Sequence, residues 1–285
     1  MRHFWRVAMH EYDPALAERL REKADWVWQE TLRIHQRAPE TRVASSLSPV
    51  EIFVTLYYGG FLRQNPADPR WHERDRCIIS KGHGSLCMYP ILADLGYFPA
   101  SELERVCLEG SFLGAIPDPV IPGYETINGS LGHGIGVGAG MALALKRRAM
   151  DQKVYVVCGD GELHEGANWE AFMFAAQHQL DNLIVLVDNN QICMLGATDS
   201  IVSHRDLRAK LTAFGWQVQV VDQGHSCECI AQALATSQRA NNGVPQAVIF
   251  NTRKGNGVPG LENAPLSHVT PIAPNVLAQL LEAKR

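Results

Sequence analysis

Two rhythms of apolar and polar residues divide the chain. Residues 14–37 are charged, with apolar side chains returning at helical spacing, and predict a long amphipathic helix. Ser48-Pro49 predicts the start of a second helix, a cap followed by proline in the first turn, that runs to about Gly59. Farther along, short runs rich in β-branched residues predict strands: KVYVVCGD at 153–160, NLIVLVDNN at 182–190, WQVQVV at 216–221 and PQAVIFNT at 245–252. All four read as buried parallel strands. Between the first two, ANWEAFMFAAQHQL repeats its apolar positions at helical spacing, which makes a βαβ unit of ordinary length. The expected fold class is therefore α/β, a doubly wound and mainly parallel sheet with helices on both faces. Neither internal repeats nor a Gly/Ser/Pro-rich linker interrupts the pattern, so residues 1–285 are expected to form a single domain with an N-terminal helical segment.

Composition narrows the function classes. With 46% hydrophobic residues in 285, the chain can bury a large core, and a net charge of -4 gives no electrostatic reason to expect nucleic acid or an anionic membrane as partner. No run approaches the ~18 apolar residues that span a bilayer, and the opening MRHFWRVAMHEYDP has no signal-type apolar segment; a cytoplasmic protein is expected. Seven scattered cysteines predict reduced thiols, and Cys227 and Cys229 lack a second pair at zinc-site spacing.

Candidate chemistry gathers where strands end. Ligands of open parallel sheets bind beyond the carboxyl ends of strands, where Gly159-Asp160-Gly161-Glu162 and Asp188-Asn189-Asn190 fall. Asp160 brings a carboxylate and Asn190 an amide oxygen, hard donors suited to Mg²⁺ or Ca²⁺ that also carries phosphate oxygens. Gly159 and Gly161 allow close backbone approach, and a helix over 165–178 would turn its positive end toward a diphosphate. By itself Gly-Asp-Gly is often just a tight turn. Its weight comes from Asn190 standing thirty positions beyond Asp160, with a strand before each and a helix between.

VVCGDGELHEGANWEAFMFAAQHQLDNLIVLVDNN closely resembles the transketolase family, and the likeness extends from about residue 14 to 285. SSLSPVEIFVTLYY, DRCIISKGHGSLCMYPILADLGYFP, NGSLGHGIGVGAGMALALKRR and TRKGNGVPGLENAPLSH match in order. The resemblance implies thiamine diphosphate as cofactor, with Asp160, Asn190 and the main-chain oxygen of Ile192 on Mg²⁺. It implies that Gly159, Gly161, Glu162 and Asn190 serve the diphosphate side and that Gly129, Ser130 and Leu131 lie under the aminopyrimidine. His83 and His268 would line the channel around the diphosphate and the reacting carbonyl. Glu165 corresponds to a carboxylate at the interface between subunits, although a first-turn acid also stabilises a helix dipole. His133 stands near the site where transketolases commonly have glutamine. His83, His268, Glu165 and His133 are thus the candidate catalytic residues.

The resemblance further implies a split enzyme. Transketolases follow this domain with a second one that grips the pyrimidine, and Arg285 stands where that domain would begin. A C-terminal transketolase-like partner subunit, an α2β2 heterotetramer and an inactive isolated chain are expected. The chemistry would be the cofactor's own, cleavage beside a ketose carbonyl and delivery of a two-carbon unit to an aldehyde acceptor. Two departures bear on the donor. Arg42, in Thr41-Arg42-Val43-Ala44, stands at a family histidine, and Ile116 stands at another; the first adds a fixed cation and the second removes a hydrogen-bonding group. An altered donor, a 2-oxo acid or an unusual ketose, is the expectation. Two alternatives stay open. One is a component of a thiamine-dependent 2-oxo acid decarboxylase or dehydrogenase, against which SKGHGS and SLGHG argue. The other is a non-catalytic homologue, against which the retained Asp160, Asn190, Glu165 and His83 argue.

Overall fold

The computed structural model describes residues 14–283. Readings of the opening segment, and of residues 284 and 285, lie outside the described residues. In chain order the elements are α1 (Pro14–Arg37), α2 (Val43–Leu47), α3 (Val50–Tyr58), β1 (Arg76–Ile79), α4 (Met88–Leu95), α5 (Gly134–Arg147), β2 (Val154–Gly159), α6 (Gly166–Gln177), β3 (Leu183–Asn189), α7 (Thr198–Val202), α8 (Leu207–Ala213), β4 (Gln217–Val221), α9 (Cys227–Arg239), β5 (Gln246–Asn251) and α10 (Pro274–Glu282). The strands form one parallel sheet in the order β1-β2-β3-β5-β4.

β2 and β3 read as unbroken apolar runs because both faces of each strand are covered. Tyr155, Val157, Ile184 and Leu186 point into a core shared with α1, α3 and α9. Their neighbours Val154, Val156, Cys158, Val185 and Val187 point the other way, into a core shared with α5, α6 and α8. Period-two side-chain alternation thus builds a three-layer sandwich, and the helices on both faces agree with the expected fold class.

Three expectations change in detail. Within the run at 216–221, β4 (Gln217–Val221) lies at the sheet edge with only Val221 of its residues buried, so it is no buried strand. Its alternation of glutamine and valine is the half-exposed pattern. A fifth strand, β1, precedes the glycine-rich SKGHGS segment; four residues are too few for a period to register. Ser48 does not cap α3: Pro49 is the cap residue, and the Ser48 hydroxyl instead donates to Asp188 at 2.6 Å.

Register sets the position of the site. Gly159 pairs with Asp188, and Asn189 with Asn251, so β2, β3 and β5 reach their carboxyl ends side by side. The loops that follow them, together with the turn after β1, surround one cavity.

Candidate functional site

A cavity of about 530 Å³ opens beyond the strand ends. Its floor is organised by Asp188, fully buried at the end of β3. Lys81, from the turn after β1, forms an ion pair with Asp188, and Thr252, just past β5, donates to its other oxygen. Ser48 and the Asn190 amide complete the set at 2.6 and 3.3 Å. Burial alone would raise the Asp188 carboxyl, but Lys81 and the hydroxyl donors hold it below the usual carboxylate range. One anion therefore locks four segments, and it is used internally rather than offered to a ligand.

Asp160 is the contrast. It is 2% exposed and accepts from the Thr198 hydroxyl at 2.7 Å, with no cationic side chain in ion-pair contact among the described residues. Burial pushes its carboxyl up, the Thr198 bond opposing. A buried carboxylate that Lys81 and Lys254 act on without an ion-pair contact is a place for a cation. The Asn190 side chain is orientated by its amide bond to Ser48 at 3.2 Å, while its oxygen accepts from the Ile192 N–H at 3.1 Å. The Ile192 carbonyl accepts from the Lys254 ammonium at 2.8 Å, so a positive charge already rests on this oxygen. One carboxylate, one amide oxygen and one carbonyl fit a hard divalent ion that leaves positions for ligand oxygens. Burial and the charge of Lys81 bring Lys254 down to about 8.

Two loop contacts depend on glycine. A Cβ on Gly161 would lie 2.8 Å from the Cβ of Cys193, so the turn after β2 and the loop after β3 touch there. Gly132, at φ +87°, brings its loop against Glu165, where a Cβ would lie 2.5 Å from the Glu165 Cβ. Glu162 then binds these parts together: its carboxylate accepts from the Ser80 hydroxyl, from Gly132 N–H at 2.9 Å and from Gly159 N–H at 3.2 Å. Burial raises the Glu162 carboxyl. Expected on the cofactor side, Glu162 touches the cavity but spends its oxygens on the protein, so it positions the loops.

On the far side, His83 and His268 meet edge to face with ring centroids 4.8 Å apart, and His268 Nδ1 pairs with Ser45 Oγ at 3.0 Å. Burial, then the charge of Lys81, lowers His83 to about 3; burial, then Lys254, lowers His268 to about 4. Both rings are neutral near pH 7, and a neutral imidazole offers a ligand oxygen a hydrogen bond without a charge. Arg42 and Ile116 also line the cavity.

Of the residues singled out from sequence, His83, His268, Asp160, Asn190, Ile192, Gly129, Leu131, Gly159, Gly161, Glu162, Arg42 and Ile116 line this cavity. Ser130, His133 and Glu165 are exposed outside its lining. The first residues of α6 are exposed as well; a short 3₁₀ turn, Gly161–His164, stands between them and β2 and meets the cavity instead. Sequence reading missed Lys81 and Lys254, although both lie in segments, SKGHGS and TRKGNG, that carry the family resemblance. It also missed Ser45 and His164.

Fold and site define a parallel three-layer α/β protein with a cavity at its strand ends that two lysines and a buried carboxylate line. Residues 36–283 match the family described as transketolase, thiamine diphosphate binding domain, and the chain belongs to that family. It is 39% identical over 227 residues to the 6-deoxy-6-sulfo-D-fructose transketolase subunit SqwG of Clostridium sp. (strain MSTE9), covering 79% of this chain and 82% of the relative. It is 38% identical over 262 residues to an apulose-4-phosphate transketolase subunit of Actinobacillus succinogenes, covering 91% and 93%. The transketolase of Campylobacter jejuni superposes with a TM-score of 0.87 at 29% identity, over 95% of this chain and 43% of the solved one. The chain thus spans less than half of that longer transketolase and most of the two subunit-type relatives.

Proposed function

We propose that this chain is the diphosphate- and metal-holding subunit of a two-component, cytoplasmic transketolase, transferring a two-carbon ketol or acyl unit from a ketose or 2-oxo acid donor to an acceptor. Activity requires a partner subunit that brings the pyrimidine-binding domain, in an α2β2 assembly. The observation that carries this reading is the buried Asp160, without an ion-pair contact among the described residues, in one cavity with Asn190, Ile192, Lys254 and the neutral pair His83 and His268. The near end-to-end match to two transketolase subunits supports a separate partner.

In this reading Asp160, Asn190 and the Ile192 carbonyl hold Mg²⁺, and Lys254 and the Gly161 backbone face the diphosphate. Thiamine diphosphate supplies the carbanion chemistry that breaks and remakes the C–C bond. The protein's part is orientation and proton handling: His83 and His268 exchange protons with the donor's carbonyl and hydroxyl oxygens, and Gly129 and Leu131 bound the cavity beside them. Ser130, His133 and Glu165, exposed in the isolated chain, face the assembled partner chains; Glu165 sits at that interface.

Reconstitution tests the reading. Mixed with its partner chain, thiamine diphosphate and Mg²⁺, this protein is expected to transfer a two-carbon unit to an aldehyde acceptor, and His83→Ala is expected to lower kcat by about 10²–10⁴-fold, the usual contribution of a positioned acid–base group. A mixture that loads the cofactor but only decarboxylates 2-oxo acids, passing nothing to an aldehyde, would move the protein to the decarboxylase class.

A further inference from the structure

The cations that line the cavity are not equally engaged. Lys81 is paired with Asp188 and Lys254 rests on the Ile192 carbonyl at 2.8 Å, whereas the only contact of the Arg42 guanidinium among the described residues is a long one, 3.4 Å, to the Glu40 carbonyl. The main chain of Arg42 is nonetheless fixed. Arg42 is the cap residue of α2, and its carbonyl accepts both the Ser46 N–H at 3.2 Å and the Ser46 hydroxyl at 3.1 Å. Just before it, Thr41 is bound by the buried His35 at 2.9 Å and donates to the Ala38 carbonyl at 2.7 Å. A rigid stem thus carries an uncommitted, half-buried fork into the ligand cavity.

The fork enters the cavity from the start of α2, the helix whose Ser45 bonds His268 at 3.0 Å. Its charge acts on His83 and His268 together with the larger effect of Lys254. Ile116, which lines the same cavity, is 46% exposed and offers no hydrogen bond to a hydroxyl. A planar five-donor guanidinium beside an apolar wall recognises an oxyanion far better than a sugar hydroxyl.

We propose that Arg42 selects the donor by binding an oxyanion that the donor itself carries, a carboxylate or a phosphate, on the His83–His268 side of the cavity. This rests on the two-component transketolase reading above and names the substrate class of that same site.

The test uses the assembled pair loaded with thiamine diphosphate and Mg²⁺, as wild type, Arg42→Gln and Arg42→Lys. Donors are hydroxypyruvate, fructose 6-phosphate and the neutral erythrulose; oxamate and inorganic phosphate are titrated calorimetrically as non-reacting oxyanions. For Arg42→Gln, the ratio of kcat/KM for one anionic donor over erythrulose falls about 10- to 100-fold, mainly through KM, as expected for losing a charge-assisted bond. The matching oxyanion weakens by a similar factor, and Arg42→Lys retains part of both. Loss confined to hydroxypyruvate and oxamate assigns a carboxylate; loss confined to fructose 6-phosphate and phosphate assigns a phosphate. An unchanged ratio in Arg42→Gln overturns the proposal, as does an equal fall in thiamine diphosphate affinity, which would make Arg42 a diphosphate contact. A wild-type pair that loads no cofactor refutes the parent reading and this one with it, whereas a loaded pair whose oxyanion binding ignores Arg42 refutes this one alone.

Discussion

Asp160 and Asp188 have the same side chain and nearly the same burial, yet their surroundings give them opposite work. Asp188 is saturated by Lys81, Ser48, Thr252 and Asn190, so Asp188→Asn leaves the Lys81 ammonium buried without its counter-charge. A loss of about 3–5 kcal/mol is expected, read as a fall in the urea midpoint. Asp160→Ala removes a carboxylate that has no cationic partner, so the metal-free chain should lose less than about 1 kcal/mol, or gain stability, while metal-dependent cofactor binding disappears. Equal destabilisation by the two changes would contradict this division of labour. A third residue governs the acid limb of stability. His35 is 1% exposed, its Nε2 accepts the Ile272 N–H at 3.4 Å, and its Nδ1 therefore donates to Thr41 at 2.9 Å. Burial, opposed by Glu40, lowers it from 6.5 to about 4. The unfolded chain takes up this proton first, so the contribution is full above pH 6.5 and is lost as pH falls through about 4. Its full size is on the order of 3 kcal/mol. His35→Gln should flatten the slope of stability between pH 6.5 and 4 in denaturant titrations; an unchanged slope would show that His35 is not the group responsible.

The elements were legible from sequence to different degrees. β2, β3 and β5 announced themselves because covering by helices on both faces leaves a strand wholly apolar, and the long α1 did so by its period. β4 was placed in the right segment but given the wrong burial, since only tertiary position decides which parallel strand becomes the edge. The strand-end fingerprint located Asp160 and Asn190, and the resemblance added His83 and His268. What stayed hidden was the wiring: that Asp188 gathers Ser48, Lys81 and Thr252, residues up to 140 positions away, follows from strand register and has no local signal. The loop contacts were hidden for the same reason. Gly161→Ala forces its new methyl against Cys193, separating the turn after β2 from the loop that carries Ile192, and cofactor affinity should fall about tenfold or more. Because the clash is with the Cβ of Cys193, Cys193→Gly added to Gly161→Ala should recover part of the loss. Purely additive effects in the double-mutant cycle would show that the two loops are not coupled there.

Across the whole molecule, helices cover both faces of the sheet, while several large apolar side chains among the described residues stay exposed. Ile127 is 82% exposed and Leu195 70% exposed, and Glu165, Ser130 and His133 are exposed with them. Large apolar side chains exposed on this scale are what a partner subunit would cover in the two-component reading proposed above. No helix among the described residues is long and apolar enough to cross a membrane.

Calorimetric titration of thiamine diphosphate with Mg²⁺ into this chain, alone and mixed with its partner, for wild type and Asp160→Ala, decides whether the site is shared. Tight binding should appear only in the mixture and vanish with Asp160→Ala. Binding equally tight to the chain alone would contradict a split site, and binding to neither would make the chain a fold without the chemistry.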